Sequence, residues 1–267
     1  LDRERSIGVF DSGIGGLTVV RALAKRLPFE NIVYFGDTAR VPYGSKSSEV
    51  VRRYAWEDAS FLIEKGVKMI VAACNTASAV ALDDLRARLD VPVVGMITPG
   101  VQKALRISSE KRIGIIGTLA TIASDAYARE ISTSEPSARV FSKACPLFVP
   151  LAEEGWGEHV VSRFVAEEYL GPFKREDIDC LILGCTHYPI LRSVIQQAIG
   201  EDVRLVDSGE AAADQVAEIL AVYDLLNDSK DSPAMSYYVS DVPQRFRELG
   251  EIFLGKPDMS VTKVNLP

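Results

Sequence analysis

The sequence is poor in the residues that build metal centres. It has two histidines and four cysteines in 267 residues, and no Cys-x-x-Cys pair. His159 and His187 stand far apart in the chain, so zinc-ligand spacing is absent and no bound metal is expected. Four cysteines in a chain of this length also do not make a disulfide framework. Cys180 and Cys185 flank one apolar run, and five extended residues span about 16 Å, beyond disulfide reach. No apolar stretch approaches the roughly 18 residues of a membrane span. The first residues, "LDRERSIGVF", have no signal-peptide pattern. A cytoplasmic protein without a membrane partner is expected. The chain also lacks a basic tract or an Arg- and aromatic-rich segment, and its net charge is −7. That argues against a general nucleic-acid-binding surface. Small anionic substrates stay open, because helix N-termini and hydroxyls hold carboxylates without Lys or Arg.

What is present is an alternation. Short β-branched runs at 6–10, 31–35, 68–73, 91–94, 112–116, 138–142, 178–183 and 203–206 read as strands. Longer segments at 15–27, 47–65, 76–89, 98–107, 120–132, 156–170, 188–198 and 208–225 read as helices. Apolar strands without polar alternation, separated by helices, indicate parallel sheets covered on both faces. The expected class is α/β, doubly wound. An internal repeat refines this. "SIGVFDSGIGGLTVVRAL" from Ser6 lines up with "RIGIIGTLATIASDAYAR" from Arg112. "MIVAACNTASAVALDDLR" from Met69 lines up with "CLILGCTHYPILRSVIQQ" from Cys180. The repeat predicts two similar halves related by duplication, about 1–97 and 98–206, then a tail from 207.

Ligands of open parallel sheets sit beyond the carboxyl ends of the strands. Asp11 and Ser12 follow the first strand, and Cys74, Asn75 and Thr76 follow the third. In the second half Thr118, and then Cys185, Thr186 and His187, follow the matching strands. If the halves face each other, Cys74 and Cys185 approach one cleft from opposite sides. Each precedes a predicted helix, whose N-terminus favours the thiolate. Cys145 and Cys180 read as small core residues. "DSGIGG" fits neither the dinucleotide fingerprint nor a Walker A loop. Asp11 reads as a helix cap or as a base partner. "GDTARVPYGSKS" is a long loop whose Tyr43 either packs or covers a substrate. Glu153 and Glu154 stand before a predicted helix, where negative charge suits the first turn.

Together "FDSGIGGL", "GDTARVPYG", "ACNTAS", "CPLFVPLAE" and "LGCTHYP" resemble the glutamate racemases of bacterial peptidoglycan synthesis, over nearly the whole chain to about residue 225. The resemblance implies racemisation by 1,1-proton transfer without a cofactor, with glutamate as the partner molecule and a homodimer as the assembly. It makes Cys74 the proton carrier for the D-enantiomer and Cys185 that for the L-enantiomer. Asp11 is expected to assist Cys74, and Glu153 and His187 to support Cys185. Asp11, Ser12, Tyr43, Gly44, Asn75, Thr76, Thr118, Thr121 and Thr186 are expected to bind the carboxylates and ammonium. The family also returns the tail to the first domain, giving 1–97 plus 207–267 and 98–206, with the site between them. Racemisation of aspartate or another acidic amino acid is the near alternative. A thiol hydrolase using Cys185 and His187 is the alternative from another class.

Overall fold

A computed structural model describes residues 2–229, 231–255 and 259–266. In chain order the strands are β1 (Ile7–Asp11), β2 (Ile32–Gly36), β3 (Met69–Ala72), β4 (Val93–Val94), β5 (Arg112–Gly117), β6 (Arg139–Ala144), β7 (Cys180–Gly184), β8 (Arg204–Asp207), β9 (Met235–Val239) and β10 (Val261–Lys263). They form two sheets, ordered β10-β9-β2-β1-β3-β4 and β6-β5-β7-β8, and every pairing between them is parallel. β1 and β7 are buried along their whole lengths, as their unbroken apolar runs require.

The helices are α1 (Leu17–Arg26), α2 (Ser48–Glu64), α3 (Asn75–Arg88), α4 (Ile97–Ile107), α5 (Leu119–Ala123), α6 (Ala126–Ser134), α7 (Phe148–Glu153), α8 (Val160–Arg175), α9 (Arg192–Ile199), α10 (Ser208–Val222) and α11 (Pro243–Leu254). The order β2-β1-β3-β4 in the first sheet repeats as β6-β5-β7-β8 in the second. That is the pairing the sequence repeat predicts. In each half the chain moves from the first strand to one side and returns to the other. The reversal leaves a crevice between the carboxyl ends of β1 and β3, and another between those of β5 and β7.

All eight predicted strands form, each within two residues of its expected ends. Four helical expectations are corrected. The segment 120–132 is two helices, because Asp125 adopts a left-handed conformation (φ 57°) that an α-helix cannot continue through. Glu153 and Glu154 do not precede a helix: Glu153 ends α7 and Glu154 caps it. The helix expected at 156–170 begins at Val160, behind the N-cap His159, and runs to Arg175. Cys185 is followed by a turn and a single 3-10 turn, Tyr188–Leu191, before α9 begins.

The tail has more structure than its sequence suggests. β9 pairs with β2 from Ile32↔Met235 to Gly36↔Val239, β10 pairs with β9, and α11 packs on α1. One apolar cluster joins residues of both halves, including Val9 and Leu17 with Leu183 and Tyr188. Two others fill the outer face of each sheet. No described helix is long and apolar enough to cross a membrane.

Candidate active site

The two strand-end crevices open into one small cavity of about 60 Å³. Ser12, Tyr43, Gly44, Cys74, Asn75, Thr76, Thr118, Glu153, Cys185, Thr186 and His187 line it, with Gly13, Val41, Pro42 and Val149. Eleven of the thirteen residues singled out from the sequence therefore meet at one place. Asp11 and Thr121 stand immediately behind this lining, bonded to Thr186 and Thr76 respectively.

Cys74 is the N-cap residue of α3. Its sulfur lies 3.8 Å from Ser12 Oγ. The helix N-terminus favours an acidified thiol, but burial works against it here. Burial and then the neighbouring Asp11 push the thiol up to about 12, against the opposing bonds from Ala77 N–H and Ser12. Burial likewise raises the Asp11 carboxyl above its ordinary value, although His187 and the bond from Gly13 N–H favour its charge.

Cys185 has a different setting. His187 Nδ1 lies 3.9 Å from its sulfur, and His187 Nε2 lies 3.1 Å from Glu153 Oε1. Burial disfavours the imidazolium, but Cys185 and Glu153 outweigh it and raise His187 to about 10. The bond to His187 lowers the Glu153 carboxyl, so the pair is ionic at neutral pH. Glu153 rather than Glu154 makes this contact, which the adjacent acids in the sequence left open. Phe253 of α11 packs edge-on against the His187 ring at 5.3 Å, a contact from the tail that no local pattern announces.

The glycines of "DSGIGG" are explained by proximity rather than by phosphate binding. A Cβ on Gly15 would stand 2.3 Å from Thr186 Oγ1 and 2.5 Å from His187 Nδ1. The turn after β1 thus presses directly on the turn after β7, and Thr18 Oγ1 lies 2.9 Å from the Thr186 carbonyl. On the other wall Thr76, Thr118 and Thr121 form a ring of hydroxyls at 2.9, 3.1 and 3.0 Å. Each can rotate its proton towards an incoming carboxylate.

Two expected binding side chains face elsewhere. Tyr43 lines the cavity, but its hydroxyl is buried between Asp37 and Asp58. The Asn75 amide is taken up behind the site. Its Oδ1 accepts from Tyr127 Oη at 2.6 Å, and its Nδ2 lies 3.3 Å from Ser208 Oγ. Tyr127 and Ser208 come from α6 and α10, and no motif in the sequence points to either. Among the described residues no group of three or more His, Cys, Asp or Glu is placed to hold a metal ion.

Comparison with known proteins agrees with this geometry. Residues 7–216 match the family model for Asp/Glu/Hydantoin racemase. A glutamate racemase of Syntrophus aciditrophicus (strain SB) is 52% identical over 260 residues, spanning 97% of this chain and 96% of that protein. The crystal structure of a glutamate racemase isoform from Bacillus anthracis matches with a TM-score of 0.96 at 38% identity, covering 99% of both chains. That of the Francisella tularensis subsp. tularensis SCHU S4 enzyme, in complex with D-glutamate, matches with a TM-score of 0.92 at 42% identity, covering 98% of both. Motifs, fold and similarity along the whole chain therefore agree that it belongs to the Asp/Glu/Hydantoin racemase family, among the glutamate racemases.

Proposed function

We propose that this protein interconverts L- and D-glutamate with Cys74 and Cys185 as the two proton carriers. The observation that carries the reading is the placement of both thiols, on equivalent strand ends, along one cavity. Inverting a stereocentre takes a proton from one face of Cα and returns one to the other. Two groups, one per face, run this in both directions, and the proton count balances without a co-reactant. Cys185 as thiolate removes the α-proton of L-glutamate while Cys74 as thiol delivers one to the opposite face. The D-enantiomer reverses these roles. Asp11 assists Cys74, and the Glu153–His187 pair supports Cys185.

The developing carbanion needs electrostatic help. The substrate ammonium supplies part of it. The threonine hydroxyls, Ser12 and the backbone N–H groups at the start of α3 supply the rest through the carboxylates. The cavity is lined by residues of both lobes, so a bound substrate would contact each of them. On this reading the lobes are 1–97 plus 207–267 and 98–206, supported by the membership of β9 and β10 in the first sheet. A cytoplasmic homodimer that needs no cofactor and supplies D-glutamate for peptidoglycan completes the proposal.

Incubation of D-glutamate in heavy water without added cofactor is expected to yield L-glutamate carrying deuterium at Cα. At early times the remaining D-glutamate should be nearly unlabelled, because each thiol serves one face. Absence of both turnover and exchange in well-folded protein would sink the proposal. An acyl-enzyme without deuterium at Cα would instead establish a thiol hydrolase. Aspartate assayed beside glutamate decides the substrate.

The loop at Gly44 offers a separate check. A Cβ there would stand 2.7 Å from Thr118 Cβ, so the first lobe touches the second at this point only because the side chain is absent. Gly44→Ala is expected to raise KM for glutamate about tenfold or more by displacing the loop, with the thermal midpoint nearly unchanged. An unaltered KM would show that the contact does not shape the site.

A further inference from the structure

The loop that brings Tyr43 and Gly44 to the cavity carries a charge cluster on its far side that proton transfer does not use. Asp37 and Asp58 are both fully buried, and Glu57 is partly so. Arg40 is the cation placed among them. Its Nε lies 2.6 Å from Asp37 Oδ2, its Nη2 lies 3.1 Å from Asp58 Oδ1, and its Nη1 meets Glu57. The guanidinium also lies 4.1 Å over the Tyr54 ring. Tyr43 Oη sits between two carboxyl groups, 2.5 Å from Asp37 Oδ2 and 2.9 Å from Asp58 Oδ2.

A phenol has one proton to give. With both carboxyls ionised, one of these contacts would set lone pair against lone pair in a site without water to screen them. The shorter contact is to Asp37, which also receives Arg40 Nε and, at 2.9 Å, Ser240 Oγ. The proton of Tyr43 therefore belongs to the Asp37 contact. The contact to Asp58 then needs a proton from Asp58.

We propose that Asp58 is a neutral carboxylic acid that donates to Tyr43 Oη, which donates to Asp37, and that this two-proton chain positions residues 37–44 against Thr118. Asp58 is thus a positioning residue, two steps removed from the substrate. Burial pushes its carboxyl well above the ordinary range, and the charges of Asp37 and Glu57 push the same way. Tyr43 and Arg40 oppose them. The other charged groups facing the cluster lie at its rim. Arg53 is 3.9 Å from Glu57, and the exposed Lys263–Asp241 pair stands beyond Ser240.

Loss of the proton as pH rises leaves two anions against one phenol, and the loop loosens. A carboxyl whose pKa is raised by folding contributes stability that is fully present below its unfolded value, near 4. That contribution disappears as pH climbs through the folded value. Asparagine at 58 has the same shape, donates from Nδ2 to Tyr43 and accepts from Arg40 at Oδ1, and does not titrate. Wild type and Asp58→Asn should therefore be compared from mildly acid to alkaline pH. At neutral pH the variant is expected to keep kcat and KM for glutamate within about twofold and to melt at the same or a higher temperature. Its advantage in melting temperature should grow with pH, and its KM should rise less than that of wild type. The KM readout rests on the glutamate racemase reading, whereas melting does not. Isotope-edited infrared spectroscopy gives a third measurement, independent of both activity and stability. Wild type should show a carboxylic-acid C=O band at neutral pH that Asp58→Asn lacks. Absence of that band, or a variant that melts lower at neutral pH, would overturn the neutral acid. An equal alkaline rise of KM in both proteins would overturn its positioning role.

Discussion

Alanine at Cys74 or at Cys185 is expected to lower racemisation by roughly a hundredfold to ten-thousandfold, the range typical of losing one positioned acid–base group. Each variant keeps one thiol and so can serve only one face of Cα. The equilibrium constant between enantiomers is one by symmetry. Loss of either cysteine must therefore lower kcat/KM equally in the two directions. Any asymmetry between the variants belongs to kcat and KM separately, and to exchange of the α-proton without inversion. The two settings make such asymmetry expected. Cys74 is held as a thiol up to about 12 by burial and by Asp11, so in the empty site it is ready to deliver a proton. His187, raised to about 10, keeps a positive charge 3.9 Å from the Cys185 sulfur across the neutral range. Cys185→Ala should retain slow proton exchange with D-glutamate, and Cys74→Ala with L-glutamate. Both cysteines are only 6% exposed, and truncation to alanine removes a single sulfur atom. Circular dichroism and melting temperature should change little. Full racemase activity in either variant would remove the two-thiol mechanism.

The largest expected effect on stability is far from this chemistry. Lys68→Met should destabilise the fold by about 3–5 kcal/mol, the usual cost of breaking a buried ion pair from one side. For a domain of this size that lowers the melting temperature by of order 10 °C. Lys68 and Glu30 are 0% and 2% exposed, and the ammonium lies 2.6 Å from Glu30 Oε2. Lys68 Nζ also donates to the carbonyls of Arg3 at 2.5 Å and Leu225 at 2.8 Å. Glu30 Oε1 accepts from Asn227 N–H at 2.8 Å. One buried charge pair thus ties the first residues, the α1–β2 connection and the segment after α10 to the entrance of β3. Methionine fills the space of the lysine stem but leaves Glu30 without a counterion and two carbonyls without a donor. Adding Glu30→Gln should recover part of the loss, since the uncompensated charge is then gone. Urea and thermal unfolding of the single and double variants measure this. A single-variant loss below about 1 kcal/mol would mean that the pair contributes no more than an exposed one. Since the pair does not touch the cavity, kcat at low temperature should be preserved.

The class, the strands and the meeting of the site residues are legible from local pattern alone. Strands buried on both faces must be apolar throughout, so "IGVF", "MIVA" and "CLIL" declare themselves locally. Parallel order with βα connections then sends Asp11, Cys74, Thr118 and Cys185 to carboxyl ends without further information. The motif set extended this to Glu153 and His187 and pointed to the family. Which atoms those residues turn towards one another depends instead on how the folded chain packs. Packing turned the Tyr43 hydroxyl away from the cavity, gave the Asn75 amide to Tyr127 and Ser208, and set Phe253 against His187. It also raised the Cys74 thiol where the helix start alone would lower it. The tail was unreadable for the same reason: β9 is a strand because β2 offers it a free edge. Periodicity along a chain records whether a residue is buried. It does not record which partner, 50 or 200 residues away, will satisfy a buried polar atom. That pairing exists only once the chain has closed on itself.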